Sequence, residues 1–100
     1  MATRRRQEKA RAEAAALAAA FAHPLRLEIL QRLLSGPCCV GDVVCECGAE
    51  QPTISRNLGL LLEAGLVTKE ADGKRRVYTI AQRDRVLHVL GALGLEPEAG

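Results

Sequence analysis

The chain has 100 residues, 48% of them hydrophobic but only 2% aromatic, and a formal net charge of +2. This length allows one small domain, whose alanine-rich core would gain from burial between two subunits. The net charge is too small to argue for nucleic acid by itself. No apolar run approaches the roughly 20 residues needed to span a bilayer, and we see no signal-peptide pattern. We therefore expect a cytoplasmic protein without a membrane partner.

Two helices are predicted at the start of the chain. Residues 1–11 form a basic arm, which is either a solvated terminus or a segment that lies along DNA phosphates. An alanine-rich helix is predicted over residues 8–21 and ends before His23-Pro24. Pro24 suits the first turn of a second helix, predicted over residues 25–34, with leucines on one side and charged residues outward.

A short helix over residues 40–46 and a longer helix that begins near residue 51 are predicted next. Gly48 ends the first of these, and Gly65 ends the second. Pro52 lies in the first turn of the longer helix, where its missing N–H costs nothing. Apolar residues recur at i, i+4, i+7 and i+8 from Ile54, so one face must be buried. A short helix, a tight turn and a longer helix make a helix-turn-helix.

The opposite face of the longer helix carries hydrogen-bonding side chains near its N-terminus. Such a face suits the major groove of DNA, although an ordinary solvated helix carries the same residue types. Arg56 lies nearly opposite the apolar stripe and is the foremost candidate, because arginine pairs well with guanine. The residues that we assign to base edges are Gln51, Thr53, Ser55 and Arg56.

Two short strands, over residues 67–70 and 75–80, are predicted on either side of the sequence ADGK. Asp-Gly at the centre of a loop is a strong hairpin signal. The basic tip of this hairpin indicates phosphate contact rather than solubility alone. The residues that we assign to phosphate are Asn57, Lys74, Arg75 and Arg76.

The last helix, predicted over residues 83–93, has more apolar surface than a terminal helix needs. We expect part of it to meet another subunit, so that the first and last helices form a homodimer interface. Residues 94–100 are expected to be a flexible tail. No nucleophile–base pair, phosphate loop or open metal triad appears in the sequence, so we do not expect an enzyme.

Several segments, in this order and spacing, resemble the ArsR/SmtB family of winged-helix metalloregulatory repressors. The matching segments are LEILQRLLSG (27–36), CVGDV (39–43), QPTISRNL (51–58), EAGLV (63–67) and DGKRRVYTI (72–80). The resemblance implies a mainly α fold with a small β-hairpin wing, an α+β winged helix-turn-helix of about five helices and a two-stranded antiparallel wing, over residues 12–93. It also implies a homodimeric repressor that binds double-stranded operator DNA and releases it when a metal, metalloid or other small inducer binds. The family often has His where this chain has Asn57, and asparagine can still donate to phosphate.

Four cysteines lie within ten residues, and in the cytoplasm we expect thiols rather than disulfides. Cys39 matches the first cysteine of the family's Cys-Val-Cys sensor motif, while Gly41 stands at the second. Thiolates favour soft ions, so we predict As(III), Sb(III), Cd(II) or Pb(II) as inducer. The predicted ligands are Cys38, Cys39, Cys45 and Cys47.

Helical geometry sets a condition on this predicted metal site. In one helix over residues 38–47, Cys38 and Cys45 would share a face but lie roughly 10 Å apart, too far for one ion or a disulfide. A site therefore needs the helix ends to unwind, or thiols from elsewhere on the dimer, and the distortion would favour release of DNA. Two alternatives stay open. One is a redox- or persulfide-sensing repressor of the same fold. The other is a protein-interaction winged helix, or a small thiol–metal storage module, without an operator.

Overall fold

The computed structural model describes residues 2–97, and within this range the chain forms five α-helices and one three-stranded antiparallel sheet. The helices are α1 (Ala2–Ala20), α2 (Pro24–Leu34), α3 (Val40–Cys47), α4 (Gln51–Glu63) and α5 (Arg83–Ala92). The strands are β1 (Cys38–Cys39), β2 (Val67–Asp72) and β3 (Arg75–Ile80). The predicted mainly α fold with a β wing is confirmed. No helix in this range is long and apolar enough to cross a membrane.

The first helix begins earlier than predicted. α1 includes the basic residues from Arg4 to Arg11, because arginine and alanine both favour helix. The boundary that we expected between an arm (1–11) and the domain (12–93) therefore falls inside one helix. α1 becomes buried at its C-terminal end, at Ala20, with Leu17 packed against the core. The tail predicted over residues 94–100 is described only to Pro97, so its last three residues lie outside the described range, as does Met1.

One apolar core joins the helices to the base of the sheet. The predicted stripe of α4 is buried on one face, and it packs with the leucines of α2 as helical spacing requires. At the start of α2, the Leu25 N–H donates to His23 Nδ1 at 3.1 Å, which caps the helix. The fully buried side chains are Ile29, Leu30, Leu33, Val43, Ile54, Leu58, Leu61, Leu66, Val86 and Leu90.

The sheet contains a strand that the sequence pattern did not predict. β1 pairs antiparallel with β3, with Cys38 opposite Tyr78, and β2 pairs with the other edge of β3, with Val67 opposite Ile80. The strand order is β1-β3-β2. The wing is therefore part of a three-stranded sheet rather than an isolated two-stranded ribbon. A strand of two residues is too short to show an alternating pattern in the sequence. β1 is extended because its backbone pairs with that of β3.

The turn and the base of the wing are both fixed by local geometry. Gly73 has a φ of +64° at the first of two loop positions, where type II′ hairpins place glycine. At the base, the Ala81 N–H donates to the Leu66 carbonyl at 2.8 Å. Gln82, at a φ of +53°, donates from Nε2 to the Gly65 carbonyl at 2.8 Å. The hairpin thus leaves and rejoins the helices at adjacent points.

Candidate nucleic-acid interface

The exposed face of α4 begins beside the wing. Gln51, Ser55 and Arg56 are exposed, while Ile54 and Leu58 on the other side of the helix are fully buried. An open cleft of about 760 Å³ lies between α3, α4 and the sheet. Its lining residues include Cys39, Asp42, Gln51, Ser55, Lys69, Arg75 and Arg76. Side chains from the predicted recognition helix and from the wing therefore line one surface.

Three of the four residues assigned to base edges are open to a ligand. Gln51, Ser55 and Arg56 are exposed, and Thr53 is half-buried in the first turn of α4. The Thr53 carbonyl accepts a hydrogen bond from the side chain of Asn57. The role of these residues in base recognition stays a prediction.

Asn57 does not lie on the exposed face of α4. Its side chain is 6% exposed, its Nδ2 donates to the Thr53 carbonyl at 2.8 Å, and its Oδ1 accepts from Arg26 Nη1 at 2.9 Å. Asn57 stands at the border between the polar and apolar faces, and Arg26 draws it inward. Both polar groups of Asn57 are thus bonded inside the protein, which does not favour the predicted contact with phosphate, and that contact stays a prediction.

Arg26 joins three helices, and the sequence pattern did not predict this role. Its Nε donates to the Ala20 carbonyl at 3.1 Å and its Nη2 to the Ala19 carbonyl at 2.9 Å, while Nη1 reaches Asn57. The last carbonyls of a helix lack partners within the helix. Arg26 donates to the Ala20 carbonyl and adds a second donor at Ala19, whose carbonyl also accepts from the Ala22 N–H, so Arg26 closes the end of α1. Helical periodicity placed Arg26 among the outward residues of α2, and no local signal marks its three partners.

The tip of the wing carries three cations in exposed positions. Lys74, Arg75 and Arg76 are all exposed at the tip of the hairpin. Arg75 Nη2 donates to Cys39 Sγ at 3.1 Å and lies 3.9 Å from Asp42 Oδ2. The hydrogen bond with Cys39 and the charges nearby raise the pKa of Arg75, so its positive charge is permanent. The wing therefore presents fixed cations next to the exposed face of α4.

The four cysteines lie in different environments. Cys38 is 3% exposed in β1, and burial raises the pKa of its thiol, which therefore stays protonated near neutral pH. Cys39 precedes α3, and its Sγ donates to Asp42 Oδ2 at 3.1 Å while it accepts from Arg75. Cys45 is exposed on α3, and Cys47 is half-buried at the end of that helix.

These environments do not form a preassembled metal site. None of the four cysteines, all within the described range, forms a disulfide. Among residues 2–97, no three His, Cys, Asp or Glu side chains are grouped so that they hold a metal ion. Residues 38–47 are also not one helix, because Cys38 and Cys39 are held extended by β3. The cysteines are thus close in sequence but do not converge on one point.

Known proteins with similar sequences and folds identify the family. The family model for "Bacterial regulatory protein, arsR family" matches residues 23–69. The biofilm growth-associated repressor of Agrobacterium fabrum is 36% identical over 93 residues, which cover 91% of this chain and 80% of that protein. NolR from Sinorhizobium fredii has a similar structure, with a TM-score of 0.82 and 30% identity over 89% of this chain and 88% of NolR.

A second solved structure has the same architecture. It is the homodimeric winged helix-turn-helix DNA-binding domain of a possible ArsR-family regulator from Mycobacterium bovis, with a TM-score of 0.80 and 30% identity. The similarity covers 89% of this chain and 84% of that domain. The residues matched by the family model contain α2, α3, α4 and the first residues of β2. The chain therefore belongs to the arsR family of bacterial regulatory proteins and is a DNA-binding transcriptional repressor with a winged helix-turn-helix, not an enzyme.

Proposed function

We propose that the chain acts as a homodimer that binds inverted-repeat operator DNA and releases it after thiol chemistry beside the wing. In this proposal α4 enters the major groove and the wing contacts the flanking backbone. The observation that carries the proposal is the shared cleft, which is lined by Gln51 and Ser55 of α4 together with Arg75 and Arg76 of the wing. Short hydrogen-bonding side chains suit base edges, and basic side chains suit phosphates.

The distribution of charge supports this mode of binding. The hairpin carries four exposed cations, Lys69, Lys74, Arg75 and Arg76, whereas the exposed start of α4 carries mainly neutral hydrogen-bonding groups with Arg56 among them. Contacts with phosphate fix the position of a protein on the duplex, and contacts with base edges supply sequence preference. Both kinds of group are present here on adjacent elements.

Apolar surface on α1 and α5 supports the homodimer. Leu93, just after α5, is 55% exposed, and a cavity of about 430 Å³ between the two helices is lined by Leu17, Phe21 and Val89 together with Leu93. The alanines of α1 allow another helix to approach closely. A twofold axis through this surface would present two α4 helices to two operator half-sites, about one turn of DNA apart.

The proposed inducer is a thiophilic ion, As(III), Sb(III), Cd(II) or Pb(II), held by cysteine thiolates. The position of Cys39 supports it, because a ligand on this sulfur displaces the hydrogen bond from Arg75. Because the described residues contain no group of three ligands, chelation requires the ends of α3 to unwind so that Cys45 or Cys47 approaches Cys39. A ligand that binds the distorted state more tightly shifts the population away from DNA.

The same geometry favours a second candidate signal, an oxidant or a persulfide. Such a reagent acts on individual thiols and does not need three ligands to converge. Cys45 is exposed and open to reagents, and Cys39 touches a cation of the wing. Modification of either thiol would change the segment that precedes α4.

A mobility-shift titration with DNA from upstream of the chain's own gene tests the first part of the proposal. We expect a specific shift that weakens as salt rises; the absence of any specific shift would instead favour a protein-interaction role.

Arsenite, Cd²⁺, Pb²⁺, peroxide and a persulfide donor are then added to the wild type and to four single Cys→Ser variants. Release by a metal that is lost in Cys39→Ser supports the metal proposal, and an unchanged metal response in all four variants removes it. Release by peroxide or persulfide alone supports the second candidate.

A further inference from the structure

We propose that Arg26 and Asn57 are positioning residues that fix the angle between α4 and α1 and so set the half-site spacing that the dimer accepts. This inference rests on the proposed function, which assigns α4 to DNA and α1 to the dimer interface. Neither residue needs to touch DNA in this proposal. Their effect is on the geometry of the two recognition helices relative to each other.

The guanidinium group of Arg26 connects α2 to both α1 and α4. Nε and Nη2 of Arg26 hold the last two carbonyls of α1, at 3.1 and 2.9 Å, and Nη1 holds Asn57 Oδ1 at 2.9 Å. A guanidinium is planar, and its donors have a fixed relative geometry. The end of α1 and the side chain of Asn57 are therefore located with respect to one rigid group, whose charge also suits the negative end of α1.

The Asn57 end of this connection is fixed as well. Its Nδ2 donates to the Thr53 carbonyl at 2.8 Å, within α4, so the amide cannot rotate without losing both partners. The side chain is buried, and a buried amide that loses its hydrogen bonds is costly. Asn57 directly follows Arg56, which is exposed on the base-reading face. The anchor thus lies immediately behind the residues that we assign to DNA.

The Arg26 end of the connection lies close to the proposed dimer surface. Ala20, whose carbonyl accepts from Arg26, is buried, and the neighbouring Phe21 lines the cavity between α1 and α5. A partner subunit that packs there would hold α1. Because Arg26 holds α4 relative to α1, the distance and angle between the two α4 helices of a dimer follow from this contact.

The consequence for DNA is a strict requirement on spacing. Inserting one base pair between half-sites rotates one of them by about 34° and moves it by about 3.4 Å. A dimer with rigidly held recognition helices rejects such a site. A dimer whose α4 helices can rotate accepts it with a smaller penalty.

The test measures Kd by fluorescence anisotropy on an inverted repeat that the wild-type chain selects from random duplexes, and on the same repeat with one base pair inserted or deleted. For the wild type we expect the altered spacing to weaken binding by about tenfold or more. For Asn57→Leu, which has a similar volume but no amide, we expect a penalty of about threefold or less. Arg26→Lys keeps the charge but cannot reach three acceptors together, and the same small penalty is expected.

Two matched variants separate positioning from stability. Ile29→Val removes one buried methylene from α2, one turn from Arg26, and should lower thermal stability while it keeps the wild-type spacing penalty. Leu61→Met changes the buried face of α4 without removing either hydrogen bond of Asn57, and it should also keep that penalty.

A wild-type spacing penalty in both Asn57→Leu and Arg26→Lys would overturn the inference, as would a uniform loss of affinity at all spacings. If Asn57→Leu fails to fold, Arg26→Lys decides. If the wild type selects no inverted repeat, the proposed function itself is wrong.

Discussion

The two helices of the helix-turn-helix are held in the protein in different ways. α4 has 13 residues, and Ile54, Leu58 and Leu61 are fully buried while Asn57 is bonded to α2. α3 has 8 residues, and Val43 is the one side chain of this helix that is buried. An ion pair between α2 and α3, which joins Arg32 to Glu46, is partly exposed and adds little. The comparison teaches that displacing α3 would expose fewer buried side chains than displacing α4, as the proposed release mechanism requires.

The largest expected effect is on the stability of α4. Leu58→Ala should lower the free energy of unfolding by about 2–5 kcal/mol, because it leaves a cavity among fully buried side chains. Val43→Ala, which removes two carbons from α3 where Leu58→Ala removes three from α4, should cost about 1–2 kcal/mol. Urea unfolding at a fixed protein concentration measures both. A greater loss in Val43→Ala than in Leu58→Ala would contradict the proposed difference between the helices.

The next effect concerns the exposed face of α4. Arg56→Ala should weaken operator binding by about 1–3 kcal/mol and change the preferred base at one position of each half-site. Arg85→Ala removes an equal charge from the exposed side of α5 and serves as the control. Binding to a library of single-base operator variants measures the preference. An unchanged preference in Arg56→Ala would show that this side chain does not contact a base.

A smaller effect is expected in the reactivity of the cysteine segment. At pH 7.5, iodoacetamide should modify Cys45 at least about tenfold faster than Cys38, since reaction at Cys38 needs local opening. Burial also raises the pKa of the Cys38 thiol, so the reactive thiolate is scarce while β1 stays closed. Mass spectrometry of timed digests measures both rates. Equal rates at pH 7.5 would mean that β1 opens freely.

The smallest effect is expected at the tip of the wing. Lys74→Gln should weaken binding by a similar factor on every DNA sequence and lower the slope of log K against log salt by about 1. The reason is that one phosphate contact, and the release of its counterion, is lost. Binding measured from low to high salt gives the slope, with Arg85→Ala again as the control. A slope equal to that of the wild type would place Lys74 away from phosphate.

The helix-turn-helix and the hairpin could be predicted from the sequence because their signals are local. The spacing from Ile54 along α4, and glycine at the turn of the hairpin, each determine structure within a few residues. β1 could not be predicted, because Cys38 and Cys39 are extended only through pairing with β3, almost 40 residues later.

The candidate site was predictable to a smaller extent. The exposed positions of Ser55 and Arg56 follow from the same periodicity as the core. The inward position of Asn57 does not, since it depends on Arg26, 31 residues earlier in the chain. The four thiols were visible in the sequence, but their separate environments depend on how β1 and α3 pack. Long-range contacts therefore decide what local patterns leave open.

The closed base of the wing has a consequence for the entropy of binding. Hydrogen bonds at Gly65 and Leu66 join the two ends of the hairpin, and its strands stay paired out to Asp72 and Arg75. The backbone around Lys74 is therefore ordered before DNA arrives. Fixing one flexible residue costs about 1–2 kcal/mol, so a loose loop with the same cations would lose much of its contact energy to ordering. A preordered wing instead keeps that energy as affinity.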